Sequence, residues 1–170
     1  MGAGAATHGQ APSGATFSAT IGAMLLEALL AYVHLAAVLA MVVFSTSQAA
    51  LLRPEWLNAA AVQRLRLVDR IYLGTLAALL LTGLLRMTLG HKGMAWYGVQ
   101  PLLWAKLAGL GLLAWAAIGP HRAYARWATA PTLPGAAEVS AVRRTVMRAA
   151  HGMLLIPLLA TLLARGVFTR

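Results

Sequence analysis

The sequence lacks cysteine entirely and has only four acidic residues among its 170 positions. The absence of cysteine excludes disulfides, thiolate catalysis, iron–sulfur clusters and haem attached through a C-x-x-C-H motif. The shortage of carboxylates argues against paired-carboxylate catalysis and against a dedicated divalent-cation transporter. P-loop, dinucleotide-binding, H-E-x-x-H and G-x-S-x-G motifs are also missing. A redox cofactor, if one is bound, must therefore be held by His, Lys, Met or Tyr.

Apolar residues dominate what is present. The chain is 60% hydrophobic and 11% charged, and its mean hydropathy is +0.73. This composition is typical of membrane proteins. The net charge of +10 invites comparison with nucleic-acid-binding proteins. The basic residues lie between and beside apolar runs, however, where a membrane protein needs them, so we expect the lipid bilayer as a partner and no nucleic acid.

Four apolar runs predict an all-α, integral membrane four-helix bundle with spans at about 24–47, 70–89, 101–119 and 149–167. Residues 1–22 are rich in Ala, Gly, Ser and Thr and include Pro12, which predicts a flexible polar tail before a single transmembrane domain at 23–170. A cleaved signal peptide is the alternative interpretation of the first run. Pro157 lies within the fourth span and should kink it or free a backbone carbonyl.

The basic residues also predict an orientation. The connections between the first two and the last two spans contain most of the arginines, namely Arg53, Arg64, Arg66, Arg70, Arg122, Arg126, Arg143, Arg144 and Arg148. The middle connection has Lys92, with Arg86 just inside the second span. The positive-inside rule therefore places both termini on the non-cytoplasmic side, and we expect a multi-pass protein of the bacterial inner membrane.

Polar residues inside a membrane should face the bundle interior, and each span has one face on which they recur at spacings of three and four. These faces are Glu27, Ala31, His34, Val38, Met41, Ser45 and Gln48; Tyr72, Thr75, Leu79, Thr82 and Arg86; Lys106 and Gly109; and Arg144, Arg148, His151, Leu155 and Leu158. Four such faces that converge would form a cofactor site within the bundle.

His34 is the strongest single candidate, because a histidine in mid-membrane favours a functional role. The alternative is a space-filling histidine that bonds to a helix carbonyl or to a threonine. Lys106 lies about 9 Å deep and His34 about 15 Å deep from the same side, at about 1.5 Å of rise per residue, so their heights are compatible. The alternative for Lys106 is a side chain that snorkels to the interface.

Other basic residues suggest secondary roles. His121 and His151 match in height, so they form either a second site or two interfacial histidines among arginines. Arg86, His91 and Lys92 lie on the outer side, where they either hold anionic groups such as haem propionates or anchor the topology.

Several segments resemble a bacterial family of small predicted membrane proteins of unknown function, over about residues 24–127 and 145–168. They are A-L-L-A-Y-V-H-L at 28–35, T-G-L-L-R at 82–86, H-K-G-M-A-W-Y at 91–97, L-L-W-A-K-L at 102–107 and L-I-P-L-L-A-T-L-L-A-R-G at 155–166. The layout more distantly resembles the HemJ-type protoporphyrinogen oxidases, which are four-helix b-type haem proteins. Their required histidine and lysine correspond to His34 and Lys106. The fourth helix departs from that pattern, with Ala150 and His151 where that family has an acidic Asn-Glu before a proline.

The leading hypothesis is a b-type haem protein that transfers electrons between a quinone or small molecule and a redox partner. His34 would be one axial ligand, with Lys106 or His151 as the other, and Arg86, Tyr72 and Tyr97 would contact the cofactor. The alternatives are a HemJ-like oxidoreductase and a non-haem assembly or transport module. In that module His34 would bridge helices or relay protons, and Gly83, Gly109 and Gly111 would mark packing faces, with a homodimer as the expected assembly.

Overall fold

The computed structural model describes residues 14–89 and 98–165, and its described elements are all helices. They are α1 (Gly14–Leu51), α2 (Ala59–Leu89), α3 (Pro101–Thr129), α4 (Ala136–Met153) and α5 (Leu155–Ala164). The predicted all-α fold is therefore confirmed for this part of the chain.

The first helix begins earlier than the sequence pattern predicted. It starts at Gly14, so residues 14–22, which were expected to belong to a flexible tail, are helical. This stretch contains no proline and includes alanines, which extend a helix readily. The helix ends at Leu51, ahead of Pro54, which disfavours helical geometry in the residue before it. The Asn58 side chain then caps α2, accepting the Ala61 backbone N–H at 2.9 Å.

Three of the described helices are long and apolar enough to cross a membrane: Thr20–Leu51 within α1, Ala59–Leu89 and Pro101–Thr129. Large apolar side chains cover their outer sides; Leu29, Leu39, Leu81, Leu112 and Trp115 are all exposed. In water such a surface would be costly, and in a bilayer it contacts lipid. The chain is therefore a membrane protein with three helices able to span.

The fourth predicted span, 149–167, is divided between α4 and α5. The helix breaks at Leu154, whose N–H bonds to the His151 carbonyl at 3.2 Å. The position of the break follows from Pro157, which has no N–H for the carbonyl of Met153 four residues earlier and whose ring crowds that carbonyl. The predicted kink is thus confirmed. α4 is too charged and α5 too short to qualify alone as a spanning helix.

Two clusters of buried side chains hold the bundle together. At one end, the last turn of α1, the start of α2 and the end of α3 meet α4 around Leu52, Leu65, Tyr124 and Val139. In the middle, Met41 packs with side chains of α2, α3 and α4. The predicted inner faces of α1 and α2 are confirmed, since Met41, Ser45, Gln48, Tyr72, Leu79 and Thr82 are buried.

The predicted inner face of α4 and α5 is wrong. Arg144, Arg148, His151, Leu155 and Leu158 are all exposed, and Val139, Val146 and Met153 are buried in their place. The prediction applied the membrane rule that polar groups turn inward. Most of α4 instead behaves as an ordinary amphipathic helix, with its apolar stripe inward and its arginines outward.

Glu138 ties α4 to the end of α3. Its Oε1 accepts hydrogen bonds from the Arg126 guanidinium at 2.6 Å and the Trp127 indole N–H at 2.9 Å. The Trp127 bond, followed by the Arg126 bond, lowers the pKa of the Glu138 carboxyl below its ordinary value.

Candidate functional site

His34 lies on the inner face of α1 and is half-buried. Its Nδ1 atom is 2.8 Å from the Thr82 hydroxyl of α2. Thr82 is itself 6% exposed, so the bond is sheltered at the junction of two helices. The alternative role of His34, a space-filling histidine, predicted a hydrogen bond to a helix carbonyl or to a threonine. The bond to Thr82 is present, and it also orients the ring.

The contacts of Thr82 assign the proton of the His34 ring. A hydroxyl has a single proton to donate, and the Thr82 oxygen lies 2.7 Å from the Ala78 carbonyl and 2.8 Å from His34 Nδ1. Both contacts are satisfied when Thr82 donates to Ala78 and accepts from His34, so we assign the proton to Nδ1 and the lone pair to Nε2. Among the described residues, no hydrogen bond engages Nε2. This nitrogen is available to a metal or to a proton.

Gly83 makes room for the ring. A Cβ atom placed on Gly83 would lie 3.7 Å from His34 Cε1, the carbon between the two ring nitrogens. That distance is ordinary van der Waals contact, so even one methyl group at position 83 would touch the ring. The T-G pair at 82–83 thus supplies both the partner and the clearance for His34.

Two further basic side chains on neighbouring helices lie within electrostatic range of His34. The cations of Arg86, in the last turn of α2, and Lys106, in α3, act electrostatically on the ring, and Arg86 also acts on Lys106. All three side chains are half-buried. We call His34, Arg86 and Lys106 the basic site. Its positive charge in a partly desolvated setting favours an anionic ligand.

One buried side chain at the start of α3 lacks partners. Gln100 is fully buried, and neither of its side-chain polar atoms has a hydrogen-bond partner in the described part of the chain. It precedes Lys106 by six residues, so it lies about 9 Å away along the helix direction. His91, Lys92 and Tyr97, which the sequence analysis placed nearby, lie outside the described residues.

Tyr72 belongs to a different part of the bundle. It precedes Thr82 by ten residues, hence about 15 Å along α2, and its neighbours include Ser45 and Gln48. The structure does not bring it together with His34.

Sequence analysis missed a polar cluster near the other end of α2. Asp69 is only 2% exposed, and its Oδ2 lies 2.6 Å from Nδ1 of His121, whose side chain is 49% exposed. Close by, the Tyr124 hydroxyl donates to Gln48 Oε1 at 3.3 Å. One feature of the sequence could have indicated that Asp69 is buried. Asp69 shares a helix face with Leu65 and Tyr72, at spacings of four and three, and both of these residues are buried.

A very small cavity adjoins this polar cluster. It measures about 10 Å³, and its walls include Gln48, Ala116 and Pro120. Pro120 has no N–H for the Ala116 carbonyl, and Gln48 Nε2 is buried without a partner among the described residues. An unpartnered donor group thus borders a space at the lower limit for one water molecule.

The two remaining histidine candidates have different hydrogen-bond partners. His121 bonds to Asp69, whereas His151 is exposed on α4, donates to the Met147 carbonyl at 2.6 Å, and lines a cavity with Arg53 and Arg148. No hydrogen bond joins His121 to His151 among the described residues, so a paired site of these two histidines stays a prediction. Within the described residues, no group of three His, Asp or Glu side chains forms a metal site.

Comparison with known proteins gives one match. A family model described as a predicted membrane protein (DUF2214) matches residues 26–168. Neither the curated proteins nor the solved structures give a match.

Proposed function

The chain belongs to the DUF2214 family of predicted membrane proteins, and we propose that its basic site binds haem b within the membrane. The protein then acts in electron transfer with a quinone or small-molecule partner. The observation that carries this proposal is the hydrogen bond from His34 Nδ1 to Thr82, which leaves Nε2 without a hydrogen bond among the described residues.

The donor set fits haem. Neutral imidazole is the commonest protein ligand for metals, and metal-bound histidines usually donate their second N–H to an oxygen acceptor that fixes the ring. Thr82 fills that second role for His34. Arg86 has the planar guanidinium that pairs with carboxylates such as the haem propionates. Lys106 is the second axial candidate, because His151 faces a different cavity.

The residues of the basic site divide the work. His34 would hold the iron, Thr82 would keep the ring from rotating and Gly83 would keep the approach clear. Arg86 would hold the carboxylates. The haem supplies one-electron redox chemistry, with a potential set by its axial ligands and burial.

The visible spectrum of the protein, purified in detergent from haem-supplied cells, tests the proposal. We expect a Soret band that shifts on reduction with dithionite. His34→Gly should lose the band while the protein still inserts in the membrane, and added imidazole should restore it. Colourless wild-type protein, or an unchanged band in His34→Gly, would overturn the assignment.

A second candidate is a non-haem assembly or transport module. The same His34–Thr82 bond supports it, since the bond joins α1 to α2 directly and the free Nε2 can take up a proton. Colourless wild-type protein, combined with loss of thermal stability in Thr82→Val, would favour this function over haem binding.

The resemblance to HemJ-type enzymes adds a third candidate, oxidation of a porphyrinogen. The position of Lys106 within electrostatic range of His34 supports it, since both positions matter in that family. Growth of a strain that lacks its porphyrinogen oxidase, restored by the wild-type gene and not by Lys106→Met, is the expected result if the chain has this activity. Failure of the wild-type gene to restore growth would exclude it.

The membrane topology is also a proposal: four spans, both termini outside the cytoplasm, in the inner membrane of a bacterium. The structure supports it by placing the two arginine-rich connections at the same end of the bundle, around the Leu52 and Val139 cluster. A homodimer is proposed through Gly111, which is exposed with open space beside it. Gly83 and Gly109 face His34 and Ile156 of the same chain instead.

A further inference from the structure

A large cavity lies at the end of the bundle where α1 leads into α2. It measures about 680 Å³ and lies between the connection after α1 and the outer face of α4. Its charged and titratable lining residues are Arg53, Glu55, Arg143, Arg144, Arg148 and His151. We call it the basic cavity. It is separate from the basic site, since none of its lining residues belongs to the His34 group.

The sequence of α4 creates the arginine-lined wall. Arg144, Arg148 and His151 recur at spacings of four and three, so they share one helix face. The opposite face buries Val139, Val146 and Met153 in the bundle core. Because that apolar burial fixes the rotation of α4, the arginine face is held toward the cavity.

Two of the arginines are already positioned by the protein. Arg143 is half-buried, and its Nε donates to the Ala49 carbonyl at 3.4 Å, in the last turn of α1. The Arg53 guanidinium lies 4.7 Å from the centre of the Trp56 ring, in a cation–π contact. These contacts lower the entropy cost of binding a ligand, because the two side chains are partly immobilised before the ligand arrives.

The described residues around the cavity do not balance its charge. Among them, Glu55 is the one acidic lining residue, against four arginines. The ion pairs found in the described part of the chain, His121 with Asp69 and Arg126 with Glu138, both lie elsewhere. Arg144 and Arg148 are thus exposed cations without an ion-pair partner among the described residues.

The size and the chemistry of the lining define the ligand. Guanidinium groups bind phosphate oxygens in a two-pronged geometry. A cavity of this volume is in the range of about 300–1,000 Å³ that holds small organic molecules. It is larger than an inorganic phosphate requires. Met147 and Pro54 add apolar wall to the arginines.

We propose that the basic cavity binds an organic phosphate anion at this end of the bundle. Two sources have that chemistry: the headgroup of an anionic phospholipid and a soluble phosphorylated compound. Arg144 and Arg148 contact the phosphate, and Arg143 and Arg53 shape the walls.

Two binding measurements on the full-length protein in a neutral detergent distinguish the sources. Native mass spectrometry detects retained phosphatidylglycerol, and calorimetric titration detects binding of glycerol 3-phosphate, a soluble organic phosphate. The proposal predicts binding in at least one of these measurements. Retention of lipid alone identifies the headgroup, and binding of glycerol 3-phosphate alone identifies a soluble phosphorylated compound.

A pair of matched variants separates a built site from general surface charge. Arg144→Gln with Arg148→Gln removes two charges from the cavity; Arg64→Gln with Arg122→Gln removes two exposed charges at the same end of the bundle, outside it. The double variant of the cavity, Arg144→Gln with Arg148→Gln, should raise the Kd of the bound probe roughly tenfold or more, because charge-assisted hydrogen bonds are lost. The control pair should change it by less than about threefold, as expected for screened surface charges. Absence of binding by both probes, or equal weakening by both pairs, would overturn the proposal.

Discussion

His34 Nδ1 lies 2.8 Å from Thr82 Oγ1, a hydrogen bond between residues 48 positions apart in the sequence. It joins the first two helices and fixes which nitrogen of the imidazole is free, because Thr82 donates its own proton to Ala78. The bond gives the histidine one structural contact and leaves one nitrogen for chemistry.

Thr82→Val should weaken haem binding while leaving the fold intact. Valine has nearly the shape of threonine but cannot accept a hydrogen bond from His34 Nδ1, so the bond no longer fixes the tautomer of the ring. Loss of such an outer partner typically costs about 10–100-fold in metal affinity. Titration of haem into apoprotein, followed at the Soret band, measures the change. Thr75→Val is the matched control, since the hydrogen bond that Thr75 makes among the described residues goes to the Tyr72 carbonyl of its own helix. Equal affinities for both variants would contradict the role assigned to Thr82.

Gly83→Leu should abolish haem binding for a steric reason. A Cβ at this position already touches His34 Cε1 at 3.7 Å, so the remaining atoms of leucine would displace the ring. Gly74→Leu, on the same helix, has nothing within 4 Å of its Cβ position and should bind haem normally. The haem content of the two purified variants checks this. A haem-loaded Gly83→Leu protein would show that the ring approaches haem from another side.

His121→Ala should destabilise the protein more than Asp69→Asn. Asp69 is buried and His121 is half-exposed. His121→Ala therefore leaves a buried carboxylate without its partner, whereas Asp69→Asn leaves an imidazole that solvent can reach. A buried charge that loses its partner costs about 3 kcal/mol or more, while a weakened hydrogen bond costs about 1–2 kcal/mol. Thermal unfolding in detergent measures both, and the reverse order would contradict this account of the polar cluster.

Glu138 should make stability depend on pH in the acid range. The bonds from Trp127 and Arg126 lower the pKa of Glu138 in the folded state, so its contribution is fully present above the unfolded value of 4.5. That contribution is lost as the pH falls through the lower folded pKa. Glu138→Gln should therefore lower the Tm at about pH 7, and the difference from wild type should shrink toward about pH 3. A difference that is constant across this range would show that the carboxylate charge is unimportant.

The inner faces of α1 and α2 were predictable from the sequence because polar and small residues recur there at helical spacing within long apolar runs. His34, Thr82 and Arg86 were identified in this way before any contact was known. The hydrogen bond between His34 and Thr82 was not predictable as such, because periodicity fixes the face of each helix but not the height at which two helices meet.

The face of α4 was predicted wrongly because two sets of residues share the same period. Arg144, Arg148 and His151 form one stripe and Val139, Val146 and Met153 another, and the choice between them depends on whether lipid or water surrounds the helix. The Asp69–His121 pair was missed for a related reason: it spans 52 positions and has no local pattern.

The haem content of wild-type and His34→Ala protein, determined as pyridine haemochrome per mole of purified chain, decides whether His34 ligates haem iron. We expect haem in the wild type and less than roughly a tenth of that amount in His34→Ala, because the axial ligand holds the iron. Membrane insertion of the two proteins should be equal. Wild-type protein without haem, or a His34→Ala protein with the same haem content as the wild type, would contradict it.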